Sequence, residues 1–182
     1  MLHQQADIIH ALGVAPSFDA AAETERRIAF LADYLRTRAL RAFVLGISGG
    51  VDSLTAAILA QTASNRLREH GHKAEFVAVR LPYGVQADEA DAQKALAAIR
   101  PDRTVTIDIK PAADAMLAEI RRQAGELFEV ERVDFHLGNI KARQRMIAQY
   151  ALAGAVGGLV IGTDHAAEAL MVAPQVSFAS EG

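Results

Sequence analysis

Residues 43–61 read FVLGISGGVDSLTAAILAQ. An apolar run, AFVLGI over 42–47, enters a loop of two serines, two glycines and an aspartate, and the loop opens onto a helical pattern with Leu54 and Ile58 on one face. The same kind of run returns as EFVAVRL (75–81), TVTIDI (104–109) and GLVIG (158–162), each separated from the next by helical pattern. Near-continuous apolar strands alternating with helices mark a parallel sheet covered on both faces. The expected fold is α/β, a doubly wound, mostly parallel sheet with helices on both faces. Ligands bind such sheets beyond the carboxyl ends of the strands. That directs attention to SGGVDS (48–53), RLPYGVQ (80–86) and GTDHAAE (162–168).

The remaining features bound the answer. With 182 residues, 51% hydrophobic and 23% charged, the chain is expected to fold as a single domain over 1–182. A net charge of -3 with interspersed signs gives no basic field for nucleic acid and no polybasic block for an anionic membrane. The N-terminal MLHQQADIIHALG reads as neither signal peptide nor membrane span, so the cytoplasm is the expected compartment. The absence of cysteine excludes disulfides, a thiolate nucleophile and cysteine metal sites within this chain. Asp19 stands where it can cap a helix bearing Ile28, Leu31 and Leu35 on one face.

In the first loop, Gly49 and Gly50 lack the Cβ atoms that would keep a ligand from the backbone, so amide groups can face an anion beside a helix N-terminus. This is not a Walker A loop, since Asp52 occupies the place of its lysine. A carboxylate there repels phosphate unless it holds Mg²⁺ bridging to phosphate oxygens, with Ser48 and Ser53 donating hydroxyl hydrogen bonds. A plain helix cap would use the same residue types. It is the combination of strand, double glycine, acid and two serines that favours a phosphate cradle.

Further along, Asn139, Arg143, Ile147 and Tyr150 share one side of a helix through GNIKARQRMIAQY. Arg143 interrupts an apolar stripe and calls for an anion, either a ligand or a protein carboxylate. Lys141 and Arg145 point elsewhere and are expected in solvent. Asp88, Glu89 and Asp91 read as acids in the first turn of a helix. Thr163 or Asp164 can cap a helix after the last strand, with Glu168 one turn on and His165 beside the cap.

SGGVDS resembles the pyrophosphate-binding loop of the ATP pyrophosphatases, which adenylate an acceptor oxygen and release pyrophosphate. AVRLPYGVQADEADA (78–92), DFHLGNIKARQRMIAQYALAG (134–154) and VIGTDHAAEA (160–169) resemble the ammonia-dependent NAD synthetases in the same order. The resemblance implies an adenine nucleotide alpha hydrolase-like fold. It implies a ligase forming a carbon–nitrogen bond, which amidates deamido-NAD with free ammonia through an adenylate, using ATP and Mg²⁺.

By the same resemblance Gly46, Ile47, Ser48, Gly49, Gly50, Val51, Asp52 and Ser53 form the ATP stretch, with Ser48, Asp52 and Ser53 catalytic. Arg80, Gln86 and Thr163 are implied as further ATP contacts, and Asp52 and Glu168 as metal ligands. Phe135, Asn139 and Arg143 are implied as deamido-NAD contacts across a homodimer interface, while Leu137 departs from a position that is often basic. After GTDHAAEA, relatives continue with a loop rich in Gly and Asp and a lysine that reaches the phosphates. Residues 170–182 match none of this, so the chain is expected to be a shortened member of the family. A shortened nucleotide-binding dimer of impaired activity is the alternative.

Overall fold

The computed structural model describes residues 2–15, 17–84, 89–127 and 132–164. Gln86, Asp88, His165, Glu168 and the tail from 170 therefore lie outside the described residues. Ile28–Thr163 form one compact unit, and the segment up to Arg27 is described by itself. That segment holds α1 (Leu2–Ala11) and the start of α2 (Ala20–Thr37). Asp19 caps α2 as expected, its Oδ1 accepting from the amides of Ala21 and Ala22 at 3.0 and 3.1 Å.

In the larger unit the chain runs β1 (Ala42–Gly46), α3 (Val51–Glu69), β2 (Glu75–Arg80), α4 (Glu89–Ile99), β3 (Arg103–Thr106), α5 (Lys110–Ala124), α6 (Val133–Val156) and β4 (Gly158–Val160). The strands form one parallel sheet in the order β3-β2-β1-β4. The chain therefore steps outward from β1 to β3, then returns through α5 and α6 to the other side of β1. This is the expected α/β architecture, with its topological switch between β1 and β4.

Period-two alternation divides the core. Phe43, Leu45, Phe76 and Ala78 face α2, α3 and α4, whereas Val44, Val77 and Val79 face α6. Two expectations need correction here. The buried residues of α3 are Ser53, Ala57, Ala60, Gln61, Ala63, Ser64 and Leu67, with Leu54 only packed alongside and Ile58 exposed. Small residues let α3 lie close on the sheet. Strand β3 is not an apolar buried strand, because as an edge it leaves Arg103, Thr104 and Thr106 exposed. It also stops short of the expected 109, although Ile107 and Ile109 still donate to the carbonyls of Arg80 and Pro82 at 2.9 Å.

Asp102, just before β3, ties three elements together. Its Oδ2 accepts from Arg68 Nη1 at 2.8 Å, from the Phe76 amide at 2.8 Å and from Gln61 Nε2 at 3.3 Å.

The backbone approaches closely at the α6–β4 junction. Gly157 ends α6 at φ 64°, a left-handed cap that glycine adopts without steric cost. Gly158 then pairs with Ala42 so closely that an added Cβ would stand 2.4 Å from the Ala42 carbonyl oxygen. Gly158→Ala is expected to lower unfolding free energy by roughly 1–3 kcal/mol, the usual cost of overpacking. Urea titration reads this, and an unshifted midpoint would show that β4 has room to move away.

Candidate active site

The loop after β1 is built on its own hydroxyls. Ser48 Oγ and Ser53 Oγ lie 3.0 Å apart, and the Ser53 hydroxyl donates to the Gly50 carbonyl at 3.1 Å. Ser48 Oγ accepts from the Gly50 amide at 3.2 Å. The two serines thus shape the loop in this structure, with Ser53 buried and Ser48 exposed. Gly49 sits at φ +91°, where a Cβ would press to 3.1 Å on the Ala92 amide nitrogen of α4.

Gly50 is the N-cap residue of α3 and supplies no side-chain cap. The first amides of α3 are therefore left for an external acceptor, and the helix dipole favours an anion there. Val51 and Asp52 are exposed at this mouth, and among the described residues Asp52 has no hydrogen-bond or ion-pair partner. Ile47 is buried and can offer a ligand only backbone, while Gly46 is half-buried at the end of β1.

Arg80 lies beneath this loop with only 3% of its surface exposed. Nη1 donates to the Ile47 carbonyl, and Nη2 pairs with Glu89 Oε2 at 2.9 Å. Glu89 is thus more than a first-turn acid. Hydrogen bonds from Gln93 and then Arg80 hold its carboxyl below the usual range. Arg80 Nε is buried and has no partner among the described residues.

α6 brings the other expected residues together. Arg143 Nη1 donates to Asn139 Oδ1 at 3.2 Å, and Asn139 Nδ2 to the Phe135 carbonyl at 3.2 Å. The three share one helix face, with Phe135 exposed and Arg143 half-buried. Among the described residues Arg143 pairs with no carboxylate, so its charge is answered by an amide oxygen.

Arg145 and Lys141 are not simply solvated. Arg145 Nε donates to the Leu81 carbonyl at 3.1 Å, and Lys141 Nζ lies 3.8 Å from the centroid of the Tyr83 ring. Both turn toward the loop after β2, which needs partners for its carbonyl and ring. Tyr83 also donates to Asp114 Oδ1, whose Oδ2 accepts from Lys110 at 2.5 Å. Thr163 is half-buried beyond β4, and the helix expected to follow it lies outside the described residues.

An open, mainly apolar groove of about 680 Å³ runs beside β4, with Phe30 and Tyr34 of α2 on one wall and Tyr150 and Gly154 of α6 on the other.

A model of the NAD synthase family matches residues 23–172, most of the chain and all of this geometry. The chain belongs to the NAD synthase family. It is similar to the NH(3)-dependent NAD(+) synthetase of Burkholderia mallei (strain SAVP1), 64% identical over 160 residues that make up 88% of this chain and 56% of that protein. It is also similar to that of Burkholderia ambifaria (strain MC40-6), 62% identical over 169 residues, 92% of this chain and 60% of the other. The crystal structure of NAD+ synthetase from Burkholderia pseudomallei matches with a TM-score of 0.86 at 59% identity, over 93% of this chain and 62% of that one. This chain thus spans less than two thirds of the length of these NAD synthase relatives.

Two residues that fasten these loops were not singled out individually in the sequence. Gln149 of α6 accepts from the Gly46 amide at 2.7 Å, and Tyr83 anchors the β2 loop to α5. A glutamine inside a helix and a tyrosine in a turn look like surface residues until the sheet brings their partners.

Arg80→Lys removes the planar fork that serves Ile47 and Glu89 together. The expected cost is about 1–3 kcal/mol in urea unfolding, the penalty for leaving a buried acceptor unpaired. An unchanged midpoint would show that the guanidinium does not hold the loop.

Proposed function

We propose that this chain carries the NAD-forming chemistry of its family: ATP-dependent amidation of deamido-NAD by free ammonia. The observation that carries the reading is the N-terminus of α3, which has no side-chain cap and bears the unpartnered, exposed Asp52 in its first turn, in a chain that the NAD synthase family model matches over residues 23–172. Gln149 and Arg145 fasten α6 to the carboxyl ends of β1 and β2. The turns before them project beyond the sheet edge, and at 1.5 Å per residue Phe135 lies about 21 Å further along the axis than Gln149.

In this reading the nicotinate carboxylate of deamido-NAD attacks the α-phosphorus of ATP, and the bond to the bridging oxygen breaks as pyrophosphate leaves. The first amides of α3 receive the leaving pyrophosphate. Ammonia then attacks the activated carbonyl carbon, and AMP departs as the amide forms. Arg143 holds an anionic group of deamido-NAD, and Phe135 offers a ring face to the nicotinate. The chain has no cysteine and so supplies no thiolate to release ammonia from glutamine.

Among the described residues no three metal-binding side chains gather, but one unpartnered carboxylate beside a phosphate cradle suits Mg²⁺, which binds through one or two carboxylates, phosphate oxygens and water. When bound, Mg²⁺ neutralises charge on the departing pyrophosphate. Asp52 would hold it, with Glu168 as the second ligand and Gln86 and Thr163 as nucleotide contacts. A second copy of the chain is the proposed partner of α6, whose Phe135, Met146, Ile147 and Tyr150 are exposed. The second reading is a nucleotide-binding dimer that does not complete amidation.

The deciding assay supplies ATP, Mg²⁺, deamido-NAD and ammonium to the purified, folded chain and follows NAD and AMP. NAD in step with AMP is the expected result, whereas ATP binding without either product would establish the second reading. Asp52→Ala is expected to slow pyrophosphate release roughly 100-fold, and a wild-type rate in a folded variant would sink its role. Arg143→Ala is expected to weaken deamido-NAD about tenfold or more while ATP changes less than about twofold. Equal losses for both ligands would remove Arg143 from the deamido-NAD site.

A further inference from the structure

In a parallel strand the backbone groups of alternate residues face opposite neighbours. Ile47 donates to Val79 of β2, so Gly46 faces the β4 side, as does Val44, whose carbonyl accepts from the Ile161 amide at 2.9 Å. One more rung of this ladder would give the Gly46 amide to the Ile161 carbonyl. Instead it goes to the side chain of Gln149, whose Oε1 accepts at 2.7 Å while Nε2 donates to the Arg145 carbonyl at 3.3 Å. Gly46 makes the insertion possible, since a Cβ there would stand 3.1 Å from Gln149 Oε1.

We propose that Gln149 is a positioning residue that replaces the last β1–β4 rung, parting the two strands where the phosphate loop begins. A side-chain amide satisfies the donor that would otherwise draw β4 against β1. It also ties the start of the Ile47–Gly50 loop to the helix that carries Asn139 and Arg143. The loop is thereby set by α6 as well as by β1. The ligand side of this inference rests on the phosphate-binding reading given above; the strand-parting side does not.

The test uses the whole chain, ¹⁵N-labelled, as wild type, Gln149→Met and Gln149→Glu. Methionine fills the space without an acceptor, and glutamate restores one. Gly46 amide exchange is expected to quicken about tenfold or more in Gln149→Met and to recover in Gln149→Glu, with Ile161 exchange changing less than about twofold. Unchanged Gly46 exchange overturns the proposal. So does equal acceleration at Ile161, which means general loosening.

Calorimetric titration with Mg·ATP supplies the ligand side. Gln149→Met is expected to bind about tenfold more weakly, and Gly46→Ala to add little to that loss because both disrupt one contact. Undiminished binding in Gln149→Met, with Gly46 exchange altered, overturns the positioning role. Failure of the wild type to bind Mg·ATP defeats the phosphate-site reading instead, and the exchange data then decide the strand-parting claim alone.

Discussion

A parallel sheet delivers the carboxyl ends of all its strands to one edge, and a chain that returns to the far side of its first strand must leave that edge in two directions. In the order β3-β2-β1-β4 that divergence falls on β1. The Ile47–Gly50 loop has to leave β1 in a conformation that no neighbouring strand supports in full. Arg80 answers this by reaching from β2 to the Ile47 carbonyl, and Gln149 by reaching from α6 to the Gly46 amide. Burying a guanidinium to 3% exposure is costly unless it is paired, and Glu89 provides the pairing from the first turn of α4. The end of β1, the end of β2 and the start of α4 are therefore joined through one buried guanidinium.

The loop after β1 and the start of α3 divide their donors. The serine hydroxyls and the Gly50 amide are spent inward on holding the loop, while the first amides of α3 face outward without a side-chain cap. Preorganised backbone donors need no rearrangement when an anion arrives. Asp52 fits the same logic. In the first turn of a helix a carboxylate is favoured by the dipole, so it can stand exposed before any cation is bound.

Strand identity was legible because burial on both faces leaves an apolar run that little else imitates. Ala42–Gly46 and Glu75–Arg80 are such runs and fall where the pattern placed them. β3 escaped the pattern because an edge strand buries little of its surface. The face of α3 was misjudged because close packing on a sheet selects alanine and serine, whose weak hydropathy hides the buried stripe. At the site, local chemistry was visible in Gly49, Gly50 and Asp52. Arg145, Lys141 and Gln149 were not, since each acts through a partner at least 58 residues away in the chain, such as Leu81, Tyr83 or Gly46.

The 24 residues of α6 reconcile these demands. Ala153, buried near its carboxyl end, lets the helix approach β1 and β4 closely, which places Gln149 within reach of Gly46. The same rigid rod carries Asn139 and Arg143 past the sheet edge, where loops alone would leave them mobile. Its exposed Ile147 and Tyr150 lie within the anchored stretch, beside Arg145 and Gln149. Arg143 stands two residues before the Arg145 anchor and six before Gln149 on the same helix, so its position is tied to the loops after β1 and β2. The proposed adenylation would call for an element of that kind, because it requires the nicotinate carboxylate and the α-phosphorus to be held in line within a few tenths of an ångström.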